Sequence, residues 1–171
     1  MNKSLITLLI IIGTLNSIKC SNINAVDIGD DIVLFLKGFL VGSIQQDLNE
    51  LNKCDFKHMG MITTYKEALE KFKGKKLDTI IDGLKLMAKF VGESLVDLGL
   101  CPGVRDSVMH LSARLMELTN PINFVRIAGK NVVIHSFQII DNVNQGVQAE
   151  KDHDHFEFGR RIGLAIALLI N

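Results

Sequence analysis

The residues best equipped for chemistry crowd into one stretch, EKDHDHFE at positions 150–157. Glu150, Asp152, His153, Asp154, His155 and Glu157 all carry atoms that can bind a metal ion. In an extended chain His153 and His155 would point the same way and share an ion. On a helix, residues two apart diverge by about 200° and the pair fails. The same letters also suit a helix start. Asp152 or Asp154 fits an N-cap, and Glu157 follows Asp154 at capping-box spacing. Acidic residues in a first turn also favour the helix dipole. No second ligand pair has the spacing of a metal site, so capping is the expected role. His153 and His155 stand only as weak metal candidates, and no cofactor is expected.

Other catalytic signatures are missing. The chain has no Gly-x-Ser-x-Gly, no His-Glu-x-x-His, no phosphate loop and no dinucleotide fingerprint. His135, between Ile134 and Ser136, reads as a satisfied core histidine, while His58 and His110 fall on outward helix positions. Asp82, Glu93 and Asp97 share a helical segment but not its inward stripe. No catalytic residue is expected, and the protein is not expected to be an enzyme.

The elements that must position these residues are helices. The chain lacks Trp, is poor in aromatics and has only two prolines, both at segment boundaries. The first segment, about 30–52, holds DIVLFLKGFLVGSI, which is apolar nearly all round and belongs at the centre of a bundle. Gly38 and Gly42, one turn apart, clear a stripe for close approach by another helix. A second segment, about 55–72, spaces Phe56, Met59, Ile62, Leu69 and Phe72 helically, and Gly74 suits a left-handed end. A third, about 77–99, aligns Leu77, Ile80, Ile81, Leu84, Ala88, Val91, Leu95 and Leu98 on one face. A fourth runs over about 103–119. Pro121 opens a fifth, to about 149, with Val125, Ala128, Val132, Ile139, Val143 and Val147 facing inward. The tail, IGLAIALLIN, is half the length of a membrane span, and Gly159, Gly163 and Ala167 recur every four positions to make a packing face. The expected fold is all-α: a single-domain up-and-down bundle of five to six helices.

The N-terminus carries a different signal. Lys3 precedes the apolar run from Leu5 to Ile12, which decays through Gly13, Thr14, Asn16 and Ser17, as a secretory signal peptide does. Cleavage fits after Cys20 or Ala25, with Cys20 favoured, leaving residues 21–171 as the helical domain. Lys3 and Lys19 leave with the leader, so a balanced chain becomes slightly acidic, with no footprint for nucleic acid. Cys54 and Cys101 then remain, and in an oxidising compartment they read as one disulfide. They follow the first and third segments, which end at the same pole of an up-and-down arrangement.

Several fragments together suggest a relationship. FLKGFLVGSIQQDL before Cys54, IIDGLKLMAKFV before Cys101, NPINFVRIAGKNVVIHSFQIIDNVNQGV and FEFGRRIGLAIALLI follow one another in order. This order resembles small secreted or lumenal all-helical proteins of ciliated protists. The resemblance implies a helical domain behind a signal peptide and implies no activity or site residue. The sequence therefore points to a secreted or lumenal binding or structural module with an unidentified protein partner. The alternatives are a carrier of an apolar, lipid-like ligand, which the pliable Met59, Met61, Met87, Met109 and Met116 would suit, or membrane association through the apolar helices.

Overall fold

The computed structural model describes residues 25–45, 48–51, 62–74, 76–97 and 103–171. They form helices, with no strand among the described residues: α1 (Ala25–Ile44), the single turn α2 (Leu48–Leu51), α3 (Ile62–Phe72), α4 (Leu77–Asp97), α5 (Arg105–Thr119), α6 (Pro121–Lys151) and α7 (His155–Ile170). The first predicted helix is thus interrupted, because Gln45 takes a left-handed φ of 53° and ends α1. Cys54, Cys101, His58, Met59 and Met61 lie outside the described residues, as do the N-terminal residues 1–24. Gly74 does not adopt the left-handed geometry expected of it. Its lack of a side chain instead leaves room for Thr79, whose Oγ1 a Cβ would meet at 2.5 Å.

Chain neighbours α3 and α4, α4 and α5, and α6 and α7 pack against each other, and α1 closes the structure against α7. The aromatic side chains fill its centre. Phe35 lies 5.1 Å from Phe158, 5.4 Å from Tyr65 and 6.1 Å from Phe90, between ring centroids, so α1, α3, α4 and α7 meet around one ring. Tilted and edge-on pairs at such distances add about 0.5–1.5 kcal/mol each beyond the area they bury. Tyr65, the sole tyrosine, is not in the predicted stripe of α3 yet is buried against Phe35, Phe90 and Phe158. Buried hydroxyls are satisfied: Ser43 and Ser94 donate to carbonyls one turn back, and Ser112 of α5 donates to the Gly92 carbonyl of α4 at 2.8 Å.

The α1–α7 contact brings backbone against backbone. A Cβ on Gly38 would overlap the Phe156 carbonyl, and one on Gly42 the Arg160 carbonyl. In return, a Cβ on Gly159 would overlap the Phe35 carbonyl and one on Gly163 the Phe39 carbonyl. Four missing side chains therefore let two backbones touch, which strengthens dispersion along the whole contact. Partners rise in number together along both helices, so α1 and α7 run parallel. Ala167, expected to continue this stripe, is half-buried and borders a groove between α6 and α7.

The long α6 starts where Asn120 caps it. The Asn120 carboxamide oxygen accepts from the N–H groups of Ile122 at 3.0 Å and Asn123 at 3.3 Å, and Pro121 follows as the first helical residue. At about 1.5 Å per residue, the 31 residues of α6 reach nearly twice as far as the 16 of α7. Since Asn131 already meets the end of α7, donating to the Leu169 carbonyl at 3.1 Å, the first turns of α6 extend beyond it.

Candidate functional site

The histidine-rich stretch forms the corner between α6 and α7. His153 has a φ of 60° and sits in the left-handed position that ends a helix. Its N–H donates to the Glu150 carbonyl at 3.2 Å, and the Asp154 N–H donates to the Ala149 carbonyl at 2.9 Å, the paired bonds of a Schellman turn. Asp154 then caps α7, its Oδ1 accepting from the Glu157 N–H at 2.9 Å. The reciprocal half of a capping box is absent. The Glu157 carboxylate instead accepts from Arg160 Nε and Nη2, both at 2.6 Å, and from Arg161 Nε at 2.7 Å. The Arg160 bonds, helped by Arg161, hold the Glu157 carboxyl below the usual carboxylate range, and Glu157 in turn raises the Arg160 pKa.

His153 and His155 meet edge-on, with ring centroids 6.2 Å apart. His155, at the first position of α7, turns inward between two carboxylates. Its Nδ1 is 2.9 Å from Glu150 Oε2 and its Nε2 is 3.3 Å from Asp31 Oδ1. The Tyr65 hydroxyl donates to the other Glu150 oxygen at 3.5 Å. Burial, then the charges of Glu150 and Asp31, push the Tyr65 phenol well above its ordinary range, so it stays protonated at neutral pH. This Asp31–His155–Glu150–Tyr65 chain ties α1, α7, α6 and α3 together at one pole. The two ring nitrogens of His155 thus face carboxylates from two different helices. Among the described residues no group of three or more His, Cys, Asp or Glu side chains is arranged to hold a metal ion. The periodicity of the sequence did not reveal this cluster, because its members lie on four separate elements.

His135 corrects another expectation. It is not a core residue but a half-exposed wall of the groove between α6 and α7, with Nδ1 3.0 Å from Gln138 Oε1. The groove encloses about 330 Å³ over an apolar floor of Leu164, Ala167 and Leu168, with Gln138, Asn142 and Asn171 also at its edge. Met87 is fully buried, as a gap-filler would be, whereas Met109 and Met116 are partly exposed, and Met116 packs beside Gly92 of α4.

The largest departure from expectation lies on α6. The inward residues of its first half are Phe124 and Ala128, with the Lys85 ammonium 4.3 Å from the centre of the Phe124 ring. Val125 points out instead. Ile122 is 80% exposed, Val125 70%, Val133 77%, Ile134 57% and Phe137 79%. Ile122, Val125, Val133 and Phe137, spaced through Gly129, draw one outer stripe, and Ile134 flanks it. At Gly129 only the γ-carbon of Val125 comes within 4 Å of where a Cβ would stand, at 3.7 Å. Exposed Arg126 and Lys130 lie within the stripe, and exposed Asp141 lies just past it. Arg126 and Lys130 make no ion pair among the described residues. Large apolar groups clustered on a surface mark a place for something to bind, whereas scattered ones do not.

No helix among the described residues is long and apolar enough to cross a membrane. Comparison of the chain with protein-family models, curated proteins and solved structures finds no match in any of the three.

Proposed function

We propose that this protein is a secreted or lumenal, non-enzymatic binding module, a bundle stapled by a Cys54–Cys101 disulfide that docks a protein partner on the outer face of α6. The exposure of Phe137 together with Ile122, Val125, Val133 and Ile134 on one helix carries this reading. A helix that is apolar on two sides has two surfaces to cover, and the bundle covers one. The buried chemistry at the pole supports a binding role too, since His155 and Tyr65 are both occupied in holding helices together.

A photo-crosslinking residue at position 137, introduced in a eukaryotic secretory host, tests the reading. A covalent protein adduct should form there and not from the same residue at exposed Asp82 on α4. Equal labelling at both positions, or none at 137, would overturn it. The groove over Leu164, Ala167 and Leu168 favours a second reading, a carrier of a slender apolar ligand. Its check is native mass spectrometry of the secreted protein, in which a carrier retains extra mass that denaturation removes.

A further inference from the structure

We infer that the partner docked on α6 is a second copy of this chain, related by a two-fold axis that crosses α6 between Val133 and Ile134. The inference rests on the docking reading above and adds the identity of the occupant. Its ground is the distribution of charge along the helix. Between Pro121 and Gly146 the charged residues are Arg126, Lys130 and Asp141, with both cations before the midpoint and the anion after it. Arg126 lies seven to eight residues before the proposed axis and Asp141 seven to eight after, each about 11 Å from it along the helix. Antiparallel pairing therefore brings Arg126 of each copy opposite Asp141 of the other, twice per dimer. Parallel pairing would set cations against cations.

The apolar residues fit the same axis. Val133, Ile134 and Phe137 stand at the centre, and Ile122 and Val125 flank them. Phe137 of one copy falls beside Gly129 and Lys130 of the other. The open space at Gly129 receives the ring, and the Lys130 ammonium can approach the ring face. A self-complementary patch of this kind is what a two-fold contact requires. Val133, Ile134 and Phe137 form the apolar centre of such a contact, and a stable interface buries ~800 Å² per partner in all.

Sedimentation equilibrium of the secreted protein across a broad concentration series tests the inference. The wild type should show twice the monomer mass. Phe137→Glu should raise the dimer dissociation constant by about 100-fold or more, as loss of a central aromatic anchor does. Arg126→Glu should raise it by about 10-fold, and adding Asp141→Arg to that variant should restore affinity to within about 3-fold of wild type. These residues are exposed, so circular dichroism should show every variant folded. A wild type that stays monomeric throughout, or a dimer indifferent to Phe137→Glu and the charge exchange, overturns the inference. The two failures are separable. A monomer whose position-137 crosslinker still captures a different chain ends the second-copy inference alone, and a monomer that captures nothing ends both.

Discussion

Along α1 and α7, glycines replace side chains and two backbones touch. Along the first half of α6, a comparable run of apolar residues surrounds Gly129 and faces outward. Both regions are rich in Ile, Val and Phe. What separates them is what stands opposite. Gly38, Gly42, Gly159 and Gly163 each face a backbone carbonyl of the other helix, whereas Gly129 faces nothing beyond its own helix. The same residue type therefore has opposite consequences. At the first contact glycine is required by a neighbour that cannot move, and at the second, within the monomer, it costs helix stability. One region is finished inside the monomer, and the other has the composition of a contact without the contact.

Single methyl groups distinguish the two regions most sharply. Gly159→Ala sets a Cβ against the Phe35 carbonyl, in a backbone held on both sides by the core. Overpacking against rigid backbone should cost about 3 kcal/mol or more, read as a lower urea midpoint at unchanged slope. A variant as stable as wild type would mean the helices do not approach this closely. Gly129→Ala is the converse test. Its Cβ meets only Val125 at 3.7 Å, so in protein dilute enough to be monomeric the better helix former should raise stability by about 0.5–1 kcal/mol. Destabilisation there would show that the outer face is already packed against something in the monomer.

How much of this is legible in the sequence follows from the range of the interactions involved. The glycines at 38, 42, 159 and 163 could be singled out because four-residue spacing is a local property of one helix. Their pairing across α1 and α7 is not local, and the parallel arrangement of the two appears only when both are in place. Pro121 marked the start of α6 for the same local reason, and Asp152 or Asp154 the start of α7, where Asp154 is the cap. Val125 went astray because periodicity reports that a face is apolar without saying what lies against it. Sequence could not show that α7 ends near Asn131 and leaves the first turns of α6 uncovered on the outside. Tyr65, Glu150, His155 and Asp31 were unreadable as a group, since they come from four helices and converge only in the fold. The place of His153 at the end of α6 was not legible, because it is set by a backbone angle that no pattern of donor atoms encodes.

Phe137→Ser bears on the other side of the comparison. With 79% of Phe137 exposed, its removal should change the stability of the monomer by no more than about 0.5 kcal/mol while weakening whatever binds α6. The measurement is a melt at a concentration low enough to keep the protein monomeric. A large loss there would move Phe137 from the docking face into the core and erase the contrast between the two regions.

The smallest expected effect belongs to the closed contact and depends on pH. Glu157 accepts from Arg160, whose own carbonyl lies against Gly42, so the carboxylate steadies the stretch of α7 that α1 touches. Its folded pKa lies below its unfolded one, chiefly through the Arg160 hydrogen bonds. The stabilisation is therefore fully present above the ordinary glutamate range and is lost as pH falls through the depressed value. Partial exposure lets water and salt screen the pair, which keeps the effect below those of the glycine variants. Glu157→Gln keeps the shape of the side chain and removes the charge. Its difference in melting temperature from wild type should be present at pH 7, shrink through the acid range and vanish once the wild-type carboxylate is protonated. A difference that persists unchanged to low pH would assign the role of Glu157 to packing, and the α1–α7 contact would then depend on its glycines without electrostatic help from the first turns of α7.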